Sequence, residues 1–327
     1  MVTTKKQIFV AGHRGMVGSA LCRLLRQQQD VALITRSRSD LDLTKLDKVD
    51  AFFSQNSIEV VYLAAAQVGG IHANRTYPVS FLLDNLLIQS HVIHSAFKHG
   101  VRRLLFLGSS CIYPMEAPQP IPESALLSGP LEPTNEPYAV AKIAGIKLCE
   151  SLNREYGDSH GLDYRSIMPT NLYGPRDNYH PENAHVMPAL LRRIHEAKEN
   201  NQSSVTVWGT GKPLREFLHA DDLARACVHL MSVKKEDLEK AILPQCSHVN
   251  AGSGMEVSVA ELAKLICQVV GFKGEVQFDP SKPDGTPRKR LDSSLLNKLG
   301  WTPEISLEEG VRTTYEDFKH LHASHRP

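Results

Sequence analysis

Residues Gln7–Gly18 read QIFVAGHRGMVG, a short apolar run followed by a GxxGxxG pattern. A continuous apolar run is typical of a buried parallel strand, and Val17–Gln28 continues with apolar residues at helical spacing. Such glycines permit a tight turn, close approach of the backbone to a pyrophosphate, and packing of the helix on the strand. The helix N-terminus offers N–H groups and partial positive charge to phosphates. The stretch predicts a dinucleotide-binding turn; a merely structural glycine turn is the alternative.

The strand–helix alternation continues along the first half of the chain. Further apolar runs of strand length occupy residues 31–35, 60–64, 103–107 and 164–168, and helical patterns occupy 46–55, 81–99 and 138–156. Such alternation implies βαβ units. We therefore expect an α/β fold with a Rossmann-type, doubly wound parallel sheet. Residues 1–175 would form the dinucleotide-binding Rossmann domain, and 176–327 mainly a smaller, mixed α/β substrate domain with some segments returning to the first sheet.

Composition and charge exclude several classes of protein. Of the 327 residues, 42% are hydrophobic and 22% charged, which argues against disorder. Lys+Arg number 37 against 36 Asp+Glu, so we expect no nucleic-acid partner. No apolar run reaches the ~20 residues that span a bilayer, so we expect no membrane partner. The six cysteines form no CxxC pair, which predicts no metal site or disulfide framework and favours a reducing, cytoplasmic location.

The end of the second predicted strand indicates which dinucleotide binds. NAD sites usually place an acid there for the ribose 2′-OH, whereas this chain has Arg36 and Arg38, with no acid before Asp40. Two arginines suit a 2′-phosphate, to which Arg14 of the glycine turn would add a third contact. We therefore expect NADP, with the segment Asp42–Leu43 flanking the adenine. The competing interpretation is that Arg36 or Arg38 is merely a solvated loop residue.

A YxxxK pattern, Tyr138 to Lys142, begins a predicted helix. Residues four apart share one helix face, and a lysine ammonium beside a phenol lowers the pKa of tyrosine from about 10. Ser109 follows the fourth predicted strand, at the sheet edge where α/β proteins bind ligands. Ser109 is therefore positioned to hydrogen-bond a substrate carbonyl oxygen together with the Tyr138 phenol. YxxxK alone occurs often by chance, but its combination with GxxGxxG and Ser109 is specific.

These motifs, in this order, resemble the short-chain dehydrogenase/reductases. Two later segments, Gly209–Asp222 and Val249–Gly254, are similar to the extended branch that modifies nucleotide sugars. Six more segments resemble the epimerase-reductases of GDP-sugars in that branch, namely GHRGMVGS (12–19), AAAQVGG (64–70), GSSCIYP (108–114), EPTNEPYAVAKIAG (132–145), MPTNLYGP (168–175) and SKPDGTPRK (281–289).

The resemblance implies a bifunctional enzyme that epimerises C3 and C5 of GDP-4-dehydro-6-deoxy-D-mannose and reduces C4 with NADPH. Tyr138 and Ser109 would hold the enolate oxygen, with Lys142 supplying charge. Inversion at carbon also needs a base and an acid on opposite faces. The resemblance assigns the base to Cys111 and the acid to His185. The sequence alone favours a buried, inert cysteine at position 111, and the resemblance reverses that interpretation.

The resemblance also implies the residues that bind the ligands. Those implied for the cofactor are Gly12, Arg14, Gly15, Met16, Val17, Gly18, Arg36, Arg38, Asp42, Leu43, Ala64, Ala65, Ala66, Leu107, Tyr138, Lys142, Pro169, Asn171, Leu172 and His185. Those implied for the substrate are Ser109, Ser110, Cys111, Asn171, Arg193, Trp208, Arg215 and Lys289, with the cations on the GDP diphosphate and Trp208 on guanine or ribose. Asn171 could instead simply anchor its loop.

The resemblance further implies a homodimer in which the helices at 81–99 and 138–156 pair with their copies. An intrachain role for their apolar faces competes with this. A second enzymatic interpretation is an NAD-dependent nucleotide-sugar 4-epimerase or 4,6-dehydratase, against which Arg36, Arg38 and the Cys111/His185 pair argue. A third is a non-catalytic NADP-sensing protein, although such proteins tend to lose the YxxxK pattern that this chain keeps.

Overall fold

The computed structural model of the chain describes residues 5–181, 183–282 and 284–323; Pro283 of the quoted segment 281–289 lies outside them. The strands are β1 (Lys6–Ala11), β2 (Val31–Ile34), β3 (Val60–Leu63), β4 (Arg103–Leu107), β5 (Asp163–Pro169), β6 (Asn171–Tyr173), β7 (Ser204–Trp208), β8 (Leu214–His219), β9 (Val249–Ala251), β10 (Glu256–Ser258), β11 (Glu275–Asp279) and β12 (Arg288–Lys289). The helices are α1 (Met16–Leu25), α2 (Leu46–Gln55), α3 (Ile71–Thr76), α4 (Pro78–Lys98), α5 (Glu136–Tyr156), α6 (Val186–Glu199), α7 (Ala220–Ser232), α8 (Lys235–Glu239), α9 (Val259–Val270), α10 (Ser294–Lys298) and α11 (Leu307–Ala323).

A six-stranded parallel sheet in the order β2-β1-β3-β4-β5-β9 forms the centre of the molecule. Because side chains alternate along a strand, β4 sends Leu104 and Phe106 to one apolar cluster and Leu105 and Leu107 to another. Helices α2, α4 and α5 cover the first face, and α1 and α7 cover the second. The expected α/β class with a parallel sheet is confirmed.

The strand order reverses direction beside β1, where β2 lies on one side and β3 on the other. In open α/β sheets, such a point leaves a crevice at the carboxyl ends of the strands. Gly12 follows β1 and Ala65 follows β3, so the GxxGxxG turn and the AAAQVGG segment meet at this crevice. The topology therefore positions the predicted dinucleotide site.

The later residues form a smaller mixed region. Strand β8 pairs antiparallel with β10 and parallel with β12 and β6, and β11 pairs with β7. A third apolar cluster joins α6, α9 and α11 to these strands. Strand β9 and helix α7 return to the first sheet.

Two local features differ from the sequence patterns. Helix α4 begins at Pro78, earlier than the expected 81, because proline is well suited to a first helical turn. The short helix α3 was not expected.

The proline-rich loop before α5 is anchored at Ile121, which forms a bridge with Leu291. Among the described residues, none of the helices is long and apolar enough to cross a membrane.

Candidate active site

The glycine turn between β1 and α1 is tightly built. Gly12 adopts a left-handed φ of 85°, and a Cβ on it would lie 2.7 Å from the Ala65 nitrogen. A Cβ on Gly18 would lie 2.1 Å from the Gly12 oxygen, so only glycine allows the helix to approach the turn. No side chain caps the helix at Gly15. The first-turn N–H groups of α1 therefore remain available to a phosphate.

The three arginines predicted for the 2′-phosphate are exposed side chains at the rim of this crevice. The Arg36 guanidinium donates to the Thr35 carbonyl at 2.9 Å and lies 5.4 Å from the centroid of the Phe52 ring. Asp40 is tied to Ser37, whose hydroxyl lies 2.5 Å from its carboxylate. Hydrogen bonds from Ser37 lower the pKa of Asp40, and Arg14 and Arg36 lower it further. Arg14 and Arg36 thus act on the same side of the crevice.

The other residues predicted for the cofactor lie near the carboxyl edge of the sheet or support it. Asp42 accepts hydrogen bonds from the Thr44 amide and hydroxyl, at 3.0 and 2.8 Å, so its carboxylate holds a local turn. Leu43 and Ala65 pack on the first apolar cluster, whereas Met16, Val17, Ala64 and Leu172 pack on the second. Leu107 ends β4, Pro169 ends β5, and Ala66 follows β3.

Ser109, Tyr138 and Lys142 come together where β4 meets α5. The Ser109 hydroxyl lies beside the Tyr138 phenol and acts to lower its pKa. Lys142 is only 3% exposed, and its Nζ donates to the Leu107 carbonyl at 2.8 Å. The same nitrogen lies 5.9 Å from the centroid of the Tyr138 ring. The structure therefore brings together the three residues that the motifs singled out.

Burial dominates the electrostatics of this group. It raises the pKa of Tyr138 well above its usual value; nearby Cys111 raises it further, against the Ser109 hydrogen bond. Burial also lowers the pKa of Lys142 to about 7. The expectation that Lys142 lowers the pKa of Tyr138 is therefore wrong. Desolvation of the phenol outweighs the lysine charge, which is itself partly lost on burial.

Cys111, His185 and Lys289 form a second group beside the first. Ser109 caps the turn Ser110–Ile112, its hydroxyl accepting from the Cys111 amide at 3.3 Å. The Lys289 Nζ lies 3.8 Å from the Cys111 Sγ. His185 precedes α6 and is partly open to solvent; desolvation by the surrounding protein lowers its pKa, and the Lys289 charge is the second cause. Both causes favour the neutral imidazole.

An exposed aromatic surface with cations around it lies on the mixed region. Trp208 is 63% exposed. The Arg193 guanidinium and the Lys282 ammonium lie 5.4 and 5.8 Å from its ring. Arg215 is half-buried, and Asp284, which lies near it, binds the Thr210 amide and hydroxyl at 2.6 and 2.7 Å. Sequence reasoning predicted Arg193, Trp208 and Arg215 but missed Lys282 and Asp284, although both lie in the quoted segment 281–289.

Of the predicted substrate residues, Asn171 has a structural partner and Ser110 is buried. The Asn171 amide donates to the Glu216 carbonyl at 2.9 Å, which supports the alternative that it anchors its loop. Ser110 is 4% exposed. Glu216 was missed: it is fully buried, and its carboxylate accepts from the Leu291 and Gly254 amides at 3.0 and 2.7 Å. It thereby connects β8 to the chain that follows Lys289.

Sequence reasoning also missed a contact that holds the segment before His185. The Gly70 amide donates to the Asn183 carbonyl at 2.9 Å, and His72 Nδ1 lies 3.2 Å from the Asn183 side-chain oxygen. A Cβ on Gly70 would lie 2.7 Å from the Ala184 oxygen. We call this contact the 70/183 clasp. The paired glycines of AAAQVGG were its only signal in the sequence.

Comparison with known proteins identifies the class that this fold and pocket define. Residues 8–244 match the family model described as the NAD dependent epimerase/dehydratase family. The chain belongs to this family.

Three similar proteins are named as GDP-sugar enzymes. A GDP-L-fucose synthase of Escherichia coli (strain K12) is 58% identical over 315 residues, covering 96% of this chain and 97% of the relative. A structure of a GDP-mannoheptose C4 reductase from Campylobacter jejuni with NADP bound is 36% identical, with a TM-score of 0.87 over 98% of this chain and 100% of the other. A GDP-L-fucose synthetase from Naegleria fowleri bound to NADP has the same TM-score at 26% identity, covering 100% of this chain and 98% of the other.

Proposed function

We propose that the chain is a bifunctional, NADPH-dependent enzyme that epimerises C3 and C5 of GDP-4-dehydro-6-deoxy-D-mannose and reduces C4, giving GDP-L-fucose. The observation that carries the proposal is the presence of two proton-transfer groups in one pocket. Tyr138, Lys142 and Ser109 form a reductase group, and Cys111 and His185 stand beside it. Similarity to GDP-L-fucose synthases over nearly the whole chain supports this.

Epimerisation follows from the acidity of the protons beside the C4 ketone. Removing one of them leaves an enolate, whose oxygen Tyr138 and Ser109 stabilise by donating hydrogen bonds. The raised pKa of Tyr138 keeps its phenol protonated for this purpose. Cys111 removes the proton and His185 returns one to the opposite face. The substrate diphosphate brings negative charge to the pocket, which favours the imidazolium that His185 needs as an acid.

Reduction then uses the same oxygen. When bound, NADPH supplies the hydride for C4. Tyr138 donates its phenolic proton to the C4 oxygen, and Lys142 compensates the negative charge left on the phenolate. The open N-terminus of α1 would bind the pyrophosphate, and Arg14, Arg36 and Arg38 would bind the 2′-phosphate. The close packing at Gly12 and Gly18 supports this assignment, because it leaves no side chain between the turn and the ligand.

The GDP moiety would bind at the aromatic surface of the mixed region. The exposed Trp208 ring offers a face for guanine or ribose, with Arg193 beside it. Arg215 and Lys289 are paired across β8 and β12, so both would meet the diphosphate. The domain division at about residue 175 follows: the sheet domain holds NADP, and the mixed domain holds GDP.

We also propose that the enzyme is a cytoplasmic homodimer. Val79 and Leu83 of α4 and Val140 of α5 are 71%, 49% and 43% exposed, and the two helices pack side by side. A second copy would bury this apolar surface. The six cysteines of the chain carry no disulfide, and a catalytic thiol requires reducing conditions.

The experiment is incubation with GDP-4-dehydro-6-deoxy-D-mannose and NADPH in D₂O, with the product identified by NMR. We expect GDP-L-fucose deuterated at C3 and C5. A product reduced at C4 with hydrogen retained at both carbons would show a reductase alone, as the Campylobacter jejuni protein is named, and would refute the epimerase half.

A cysteine variant tests the assignment of the base. Cys111→Ser should abolish deuterium exchange, because a serine hydroxyl is a far weaker base than a thiolate, while ketone reduction stays measurable. Cys267→Ser is the matched control, since Cys267 is half-buried against the third apolar cluster. Undiminished exchange in Cys111→Ser would remove Cys111 from the base role.

A further inference from the structure

The strand β12 separates its basic side chains by face. Arg288 donates to Glu256 at 2.7 and 2.5 Å, and Arg290 lies 3.7 Å from the same carboxylate. Because side chains alternate along an extended chain, Lys289 points the other way, toward the pocket. The chain after it is anchored by Glu216, which accepts from the Leu291 amide at 3.0 Å. Lys289 is therefore held in place from both sides.

Its ammonium faces the acid–base pair. The Nζ lies 3.8 Å from the Cys111 Sγ, and its charge contributes to the lowered pKa of His185. Lys289 forms no ion pair with any carboxylate in residues 5–181, 183–282 and 284–323. Its positive charge is therefore not neutralised by a neighbour and acts on the sulfur and the imidazole.

We propose that Lys289 is a catalytic residue of the proton transfers: its ammonium stabilises the Cys111 thiolate and so makes Cys111 the base. This inference rests on the proposed function. The thiolate takes the proton from the carbon beside the ketone, becoming a thiol, and the electron pair of the C–H bond passes into the enolate. His185 then returns a proton to that carbon.

The groups that face Cys111 support stabilisation of a negatively charged sulfur by Lys289. The Tyr138 phenol comes from α5, the Ser109 hydroxyl from the same turn, and Lys289 from β12. Of these, Tyr138 and Ser109 are neutral, so Lys289 is the cation that stabilises a negative sulfur. A diphosphate-binding role for Lys289 requires substrate, whereas its effect on the thiol operates without substrate. That difference allows the two roles to be measured separately.

The test is alkylation of the substrate-free enzyme with iodoacetamide, followed by mass spectrometry of the Cys111 peptide. Because the thiolate is the nucleophile, Lys289→Met should lower the alkylation rate of Cys111 by about tenfold near neutral pH. Lys289→Arg, which keeps the charge, should restore most of the rate. Arg288→Met is the control, because Arg288 lies on the same strand but faces Glu256.

Two internal references report on folding. Cys246 and Cys267 are half-buried like Cys111, but the Lys289 contact is with Cys111. Their alkylation rates should therefore not change in a folded Lys289→Met protein. If that variant misfolds, Lys289→Gln replaces it with a neutral polar side chain. If Cys111 is alkylated at the wild-type rate in a folded Lys289→Met or Lys289→Gln protein, the inference is overturned. That result would stand even if deuterium exchange confirms the proposed function. Conversely, retained exchange in Cys111→Ser would refute the base role while leaving the effect of Lys289 on the thiol measurable.

Discussion

Replacing Lys142 by methionine should stabilise the ligand-free protein while it removes activity. Lys142 is 3% exposed, and its nearest ring is Phe106, whose centroid lies 4.8 Å from Nζ. The pKa of this lysine falls from 10.5 to about 7 because burial penalises the ammonium. Methionine has a similar length and no charge, so it removes that penalty.

The magnitude follows from the linkage between protonation and folding. One pKa unit corresponds to about 1.4 kcal/mol, so the displaced pKa of Lys142 costs the fold about 4 kcal/mol at pH 7. Methionine cannot donate to the Leu107 carbonyl, and an unpaired buried carbonyl costs about 1–3 kcal/mol. The free energy of unfolding should therefore rise by about 1–3 kcal/mol in Lys142→Met.

The pH dependence separates this effect from better packing. The folded-state pKa of Lys142 is lowered, so between about 7 and 10.5 the unfolded state binds more protons. Wild-type stability should therefore rise relative to the variant as pH increases through that range. The advantage of Lys142→Met should shrink by about 2 kcal/mol between pH 7 and pH 9. A packing effect would not change with pH.

Urea unfolding of both proteins without ligands, at pH 7 and pH 9, measures the difference. Lys264→Met is the matched control, because Lys264 is exposed on α9 and should change stability by less than about 0.5 kcal/mol at either pH. If Lys142→Met is less stable than wild type at pH 7, or its advantage does not change with pH, the burial argument is wrong.

Two other perturbations test the cofactor rim and the 70/183 clasp. Arg36→Ala should raise the KM for NADPH by about tenfold or more, since a charged hydrogen bond contributes about 1.5–3 kcal/mol. The KM for NADH should change little. Equal effects on the two KM values in steady-state assays would contradict the 2′-phosphate assignment. Gly70→Ala would place a methyl group 2.7 Å from the Ala184 oxygen and displace the segment before His185. We expect solvent-deuterium exchange to fall about tenfold with NADPH affinity unchanged. The control is Gly129→Ala, whose Cβ would lie 3.4 Å from Pro114, and normal exchange in Gly70→Ala would rule out a positioning role.

The parallel sheet was predictable because each central strand carries its own local signal. The run Gln7–Ala11 is apolar and ends at glycine, and Arg103–Leu107 behaves in the same way. Strand β9 has three residues and no periodicity of its own; it exists because it pairs with β5. Helix α3 has only six residues, too few for a helical pattern to stand out.

The site was predictable where chemistry follows a local motif and not where it depends on tertiary contacts. YxxxK located Tyr138 and Lys142, but the directions of their pKa shifts depend on burial beneath α4 and beside β4, which no local pattern encodes. The Lys289–Cys111 contact joins residues 178 positions apart. It results from the pairing of the two-residue strand β12 with β8, and neither residue signals the other in the sequence.

The protonation of the pocket suggests why one site can perform both reactions in order. Desolvation by the protein favours the neutral forms of Tyr138, Lys142 and His185. A GDP-sugar and NADPH are both anionic, so each adds negative charge that favours protonation of Lys142 and His185. Binding of both ligands would therefore shift Lys142 and His185 toward their charged, acidic forms. The cations at the cofactor rim are exposed, whereas the protonation of Lys142 and His185 depends on the ligands beside them.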